Sequence, residues 1–170
     1  LAGRGDRERV TELGRMLGDK LVARCDAPGL VRLFHYRAGC ESDTVEFRQE
    51  CRQTLFKAFK DREGQVLVNN VGFDQRVPVR EILRRMQTLL RLSPGALCHE
   101  KTWGFGVVKG VDSLYGKVVV DFTRKPAHMM AVGYAGESLE LISEAHLLAQ
   151  KHRNPAALAL KVRHALYQPK

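Results

Sequence analysis

Metal-ligand spacing is missing from this sequence. It holds no Cys-x-x-Cys pair, no His-x-x-x-His and no His-Glu-x-x-His, so its four cysteines, Cys25, Cys40, Cys51 and Cys98, indicate neither a zinc site nor a disulfide framework. They read as reduced, mostly buried thiols. No run of about 18 apolar residues is present to span a membrane, and no charged n-region, apolar h-region and cleavage site open the chain. A cytoplasmic protein without a membrane partner is therefore expected. Prolines are few, six in 170 residues, and a hydrophobic share of 44% favours a folded chain with a core of its own, in one large domain or two small ones. The opening Leu1-Ala2-Gly3, with no initiator Met, suggests a piece of something longer.

The signatures of catalysis are equally scarce. Gly104, Gly106 and Gly110 give G-x-G-x-x-x-G, but the spacing is not that of a dinucleotide fingerprint, the glycines run through a strand pattern, and no Gly-Lys-Ser/Thr follows. They are read as permitting a tight turn and close strand approach around Trp103 and Phe105. Cys98 and His99 are neighbours on an expected strand, point to opposite faces and cannot act as a nucleophile-base pair. Without a convergent acid-base set the chain is expected not to be an enzyme, and to use no cofactor or small-molecule substrate.

Charge is present but uneven. The formal net charge is +9; residues 1–95 carry 18 basic and 13 acidic groups, residues 96–147 carry 5 and 6, and residues 148–170 carry 5 and none. A near-neutral middle between basic flanks tilts the middle toward a protein partner, because nucleic-acid affinity is driven by phosphate neutralisation.

Periodicity divides the chain. Val10, Leu13, Met16, Leu17 and Leu21 predict an amphipathic helix over 6–23, and Pro28 and Gly39 bracket a second. Asp43 with Glu46 predicts a capping box for a third over 44–60. The segment 65–72 fits either a strand or a helix end. Pro78 suits the first turn of a helix running to about Leu92. After Ser93-Pro94-Gly95 the period falls to two, predicting strands near 96–100, 105–112, 116–122, 127–133 and 139–142, with a hairpin link at Ser113–Tyr115. Ser143 is expected to cap a helix through His152, and Asn154-Pro155 to open another to about Tyr167. The fold class expected is α+β: a helical domain over 1–92, a small five-stranded SH3/Tudor-like β-barrel over 93–142, and a basic helical tail over 143–170.

Two sets of residues stand out. Trp103, Phe105, Tyr115, Phe122 and Tyr134 could form an aromatic cage, but Phe105 and Phe122 are expected to fill the barrel. Trp103 and Tyr134 are then the exposed anchors for a partner, with Lys101, Arg124 and Lys125 beside them. For nucleic acid or an acidic protein surface, the candidates are Arg80 and Arg84 on an arginine-bearing helix with Arg76, Arg85 and Arg91. The acid-free tail adds Lys151, Arg153, Lys161 and Arg163, together with Lys170.

The pattern G-x-x-x-H-x-x-x-x-G-x-G-x-V, met by Gly95, His99, Gly104, Gly106 and Val108, resembles the Tudor-like module at the end of UvrD/PcrA-type helicases. It is also similar to the RNA-polymerase-interacting domain of CarD-type factors. A longer likeness, VNNVGFDQ, LRLSPGALCHEKTWGFGVV, KVVVDF, YAGESLELI and EAHLLAQKHRNP, runs from about Val68 to Pro155. It resembles the N-terminal extension of the long GreA-type transcription elongation factors of the Chlamydiae–Verrucomicrobia group. The resemblance implies a non-catalytic module that docks on bacterial RNA polymerase. Its alternatives are direct nucleic-acid binding, or a scaffold for a Gre-like remainder. The acidic coiled-coil tip through which Gre factors promote transcript cleavage has no counterpart here.

Overall fold

The computed structural model describes residues 4–112 and 114–166. Ser113 of the expected hairpin link, together with Tyr167 and Lys170, lies outside the described residues. The fold class is α+β, with five helices, an antiparallel sheet interrupted by a sixth, and two further helices at the end.

Helix α1 (Arg4–Ala23) forms where the helical period predicts it, but uses only part of the predicted face: Val10 and Leu21 are half-buried, Leu21 against the core. Leu13, Met16 and Leu17 point to solvent, while Gly14 and Gly18 are buried against α2 (Ala27–Cys40). A Cβ on Gly14 would stand 2.7 Å from Cδ of Arg37, so only glycine permits this approach. Helix α2 starts on a side-chain cap, the Asp26 carboxylate accepting from the Gly29 amide at 2.8 Å.

For α3 (Val45–Ala58) the capping box is replaced by Thr44, whose hydroxyl accepts from the Phe47 amide at 3.2 Å. Asp43 turns elsewhere and accepts from the Val79 amide at 2.9 Å, serving the start of a helix 36 residues away. The open segment resolves as helix α4 (Arg62–Asn70), because Asp61 caps it through the Gly64 amide at 2.6 Å. Helix α5 (Val79–Leu89) follows Pro78, which stands one position before the helix proper.

The strands are β1 (Leu97–Glu100), β2 (Gly104–Asp112), β3 (Lys117–Phe122), β4 (Lys125–Ala131) and β5 (Glu140–Leu141), in the spatial order β4-β3-β2-β1-β5. Every pairing is antiparallel, and among the described residues no ladder joins β4 to β5, so the sheet is open. The expected strand over 127–133 is displaced, since the chain leaves β4 at Ala131 and enters helix α6 (Val132–Ser138). Helix α7 (Leu147–Arg153) is capped by His146 in place of Ser143, its Nδ1 accepting from the Leu148 amide at 3.1 Å, and α8 (Pro155–Leu166) follows.

One connected core runs from Leu30, Phe34 and Leu55 through Ile82, Leu83 and Met86 to Val108, Val118, Val120 and Phe122. Helix α6 joins its two ends: Val132 and Ala135 are fully buried, and a Cβ on Gly133 would meet the Asn70 carbonyl of α4 at 2.5 Å. Of the cysteines only Cys51 and Cys98 are buried; Cys40 is half-buried and Cys25 exposed, so the expectation of mostly buried thiols holds for two of the four, while all four are free. No helix among the described residues is long and apolar enough to cross a membrane.

Candidate functional site

The end of the sheet where the β1–β2 and β3–β4 turns meet gathers four of the singled-out residues. Alternation along β1 turns Cys98 and Glu100 inward. The Glu100 carboxylate, only 4% exposed, accepts from the backbone amides of Thr102 at 2.7 Å and Trp103 at 2.9 Å. That clamp closes the turn carrying Lys101 and Trp103, and Gly104, at φ +76°, supplies the left-handed conformation that lets the chain enter β2. Two residues on, Gly106 lets the strand pass under Phe122, whose ring would lie 2.5 Å from an added Cβ.

Trp103, expected as an exposed anchor, is instead half-buried and packs against the core, with its indole 5.2 Å from the His128 ring, which in turn lies 6.0 Å from Phe122. Lys125 reaches across from β4 and places its ammonium 4.5 Å from the centroid of the Trp103 ring. The cation seat on this indole is therefore taken by the protein's own lysine. Arg124 and Lys101 are exposed on either side. Phe122 is buried, whereas Phe105 is only half-buried, faces outward and meets His152 of α7 at 5.4 Å, a correction to its expected place in the core.

Strand β4 borders this end and forms one edge of the sheet. Its register with β3 shifts between Val120 and Phe122, and Ala127 adopts φ +48° while its amide donates to Asp121 at 2.7 Å. This bulge, next to Pro126, bends the beginning of the edge; beyond it Met129 is 62% exposed. Tyr134 does not join the group. It is exposed on α6, whose first amide, Val132, donates to Gly116 at the opposite end of the sheet. The six steps of β4 between Lys125 and Ala131 separate the two ends by about 20 Å.

The basic candidates divide. Arg84 pairs with Glu81 at 2.7 Å and donates to the Gly136 and Glu137 carbonyls of α6 at 3.4 and 3.0 Å. Arg85 is buried between Glu81, Glu137 and Gln75. Both guanidiniums tie α5 to α6, and the hydrogen bonds of Arg84 and Arg85 hold the Glu81 carboxyl below its usual range, against the opposing effect of burial. Arg80 is exposed. In the tail, Arg153 pairs with Glu144, while Lys151, Lys161 and Arg163 are exposed and make no ion pair among the described residues.

A second polar assembly escapes sequence reading. Arg37 is 1% exposed yet donates to Glu41 at 2.6 and 3.1 Å and to Glu50 at 2.6 and 3.2 Å, at the floor of a cleft of about 530 Å³ between α1, α2 and α3. Burial works against the Arg37 charge, but the two carboxylates outweigh it and raise its pKa. Among the described residues every buried side-chain nitrogen and oxygen has a partner, and Glu50 is also reached by the exposed Arg15 of α1 at 3.5 Å. The assembly's only signal in the sequence is Glu41, four residues after Arg37.

Reactive chemistry finds little support. Burial pushes the Cys98 thiol up to about 11, and raises Cys51 as well, so neither offers a thiolate near neutral pH. No group of three or more His, Cys, Asp or Glu among the described residues could hold a metal ion. Comparison with protein-family models, with curated proteins and with solved structures gives no match.

Proposed function

We propose that this chain is a non-catalytic docking module of a bacterial transcription elongation factor, acting in the cytoplasm and binding RNA polymerase through the sheet. The observation that carries the reading is the β4 edge, with Met129 exposed in its middle and Trp103, Lys125, Arg124 and Lys101 at its kinked end. A partner strand added to such an edge gains main-chain hydrogen bonds, and the flanking side chains select it. The strand order β5-β1-β2-β3-β4, with a helical turn before the short last strand, is the connectivity of an SH3-like barrel and supports that finer reading of the sheet. The choice of polymerase as partner rests on the sequence likeness over about Val68 to Pro155.

The test is capture of bacterial RNA polymerase core enzyme by the whole chain, repeated at high salt and after nuclease. Retention through both, and loss with Met129→Asp or Lys125→Glu, is the expected outcome. Both positions are exposed, so circular dichroism should be unchanged. Retention by both variants would remove β4 from the interface. Loss with nuclease would favour a second reading, direct nucleic-acid binding, motivated by Lys151, Lys161 and Arg163, which lie exposed in a segment without a single acid from Leu148 onward.

A further inference from the structure

Strand β4 is guarded at one end only. Lys125, Pro126 and the bulge at Ala127 are devices that keep an edge from pairing with another chain. They stop there, and from His128 to Ala131 the edge carries no Lys, Arg, Asp or Glu. The register shows which groups this stretch offers. Gly116 and Val132 stand opposite each other, and the Val132 amide donates to the Gly116 carbonyl at 2.8 Å. Bonded and non-bonded pairs alternate along an antiparallel ladder. Met130 and His128 therefore exchange bonds with Val118 and Val120, while Met129 and Ala131 turn both N–H and C=O to the open side. Charge at the guarded end is of one sign. Lys101, Arg124 and Lys125 are exposed and make no ion pair among the described residues, and neither 101–111 nor 122–136 contains an acid. The acids bordering those runs are engaged or distant. Asp121 accepts from the Ala127 amide and lies 3.6 Å from Lys109, Glu100 holds its own turn, and Glu137 pairs with Arg85 at 3.2 Å. Asp112 sits at the opposite end of the sheet, and Glu140 on its far edge, β5.

We infer that the β4 edge takes an extended, acidic segment of its partner. The main chain of that segment pairs with Met129 and Ala131, an apolar side chain lies beside Met129, and carboxylates stand at the end next to Arg124 and Lys125. The inference rests on the docking reading of this edge and names the chemistry of the docked segment. Outward-facing main-chain groups select a strand over a helix, whose own N–H and C=O are already bonded. A phosphodiester backbone has no N–H donors and cannot continue the ladder. A second copy fits poorly, because β4 paired with β4 supplies no carboxylate and helix α6 cuts the pairing segment short at Ala131. The cations would then stay unmatched, whereas an acidic strand meets them. Lys125 is held at that end by its contact with the Trp103 ring.

The experiment uses the whole chain and fluorescence anisotropy with three short labelled peptides of alternating valine and threonine. The first carries a pair of glutamates at each end, and the second has lysine for every glutamate. The third keeps the glutamates but has proline for every valine, which removes donors from the ladder. Only the first is expected to bind. Met129→Asp should weaken it about tenfold or more, as loss of an anchor does. Arg124→Glu with Lys125→Glu should turn the preference toward the lysine peptide; the substituted residues are exposed, so folding should survive. Amide hydrogen exchange reads the register: Met129 and Ala131 should be unprotected in the free chain and gain protection with the glutamate peptide. Equal binding of the first two peptides, binding of the proline peptide, no binding of the first up to about 1 mM, or protection gained without Met129 and Ala131 would each overturn the inference. Displacement of the peptide by oligothymidylate would give the site to nucleic acid, and protection of those two amides that rises with concentration of the free chain would give it to a second copy; either also overturns it. Polymerase captured through β4 but not displaced by the glutamate peptide would overturn the inference and leave the docking reading standing, while peptide binding without polymerase capture would do the reverse.

Discussion

The helical region and the sheet handle positive charge in opposite ways. In the helices, Arg37 and Arg85 are almost wholly buried and Arg84 is drawn into contacts with α6, so these guanidiniums are spent on holding helices together. In the sheet, no cation is buried among the described residues, and Lys101, Arg124 and Lys125 stay exposed at one end. The count of basic residues is higher in the first 95, but fewer of them are available to a partner than that count implies. Charge placement, not charge total, separates the scaffold from the surface.

The comparison breaks most visibly at Arg37. Replacing it with Met strands the Glu41 and Glu50 carboxylates in a half-buried site, and a cost of about 3–5 kcal/mol is expected from removing one side of a buried pair. Urea unfolding should show a fall in midpoint without change of slope. Acid sharpens the result. Burial pushes the Glu50 carboxyl up, but the hydrogen bonds and charge of Arg37, with Arg15 behind it, outweigh burial and hold it below its usual range. A depressed carboxylate contributes stability that is present above its unfolded pKa and lost as pH falls through the folded one. Wild type should therefore lose stability on acidification below the ordinary carboxylate range, and Glu50→Gln should flatten that slope. An unchanged slope would mean that the pair does not report on the fold.

Next in size is Glu100, the one buried acid of the sheet. Glu100→Ala leaves the Thr102 and Trp103 amides without their acceptor, at an expected cost of about 1–3 kcal/mol. Trp103 is the only tryptophan, so its emission reads the turn directly. A red shift ahead of global unfolding is expected; coincident transitions would show that the turn is held by packing alone.

How much of this was legible in the sequence follows the range of the forces. Local signals worked: the helical period placed α1, α2, α3 and α5, and alternation with Gly-bearing turns placed four strands within a few residues. Signals settled by distant partners did not. Val132–Ser138 has two glycines and little helix propensity, and forms α6 because Gly133 and Gly136 let it lie against Asn70, Arg85 and Leu89. Asp43 resembled the start of its own helix but serves Val79. The apolar period of α1 was real, yet Leu13, Met16 and Leu17 on its face are left in water while Leu21 packs on the core, since the glycines Gly14 and Gly18 take the place against α2. At the sheet end, Trp103 and Lys125 were visible as candidates, while their mutual contact and the Glu100 clamp depend on a turn that no spacing rule specifies.

The smallest effect tests whether the surface cations are as dispensable to the fold as the buried ones are essential. Lys125 is exposed, and its contact with the Trp103 ring is of the kind that contributes about 0.5–1 kcal/mol. Lys125→Met keeps the stem and removes the charge, so the unfolding midpoint should move little while Trp103 emission changes, because an ammonium no longer lies over the indole. If stability instead falls as far as in the Arg37 variant, the lysine is part of the scaffold and the contrast between the two regions fails. If neither stability nor emission moves, the ammonium spends little time over the ring, and the indole face is open for a partner's cation in place of the protein's own.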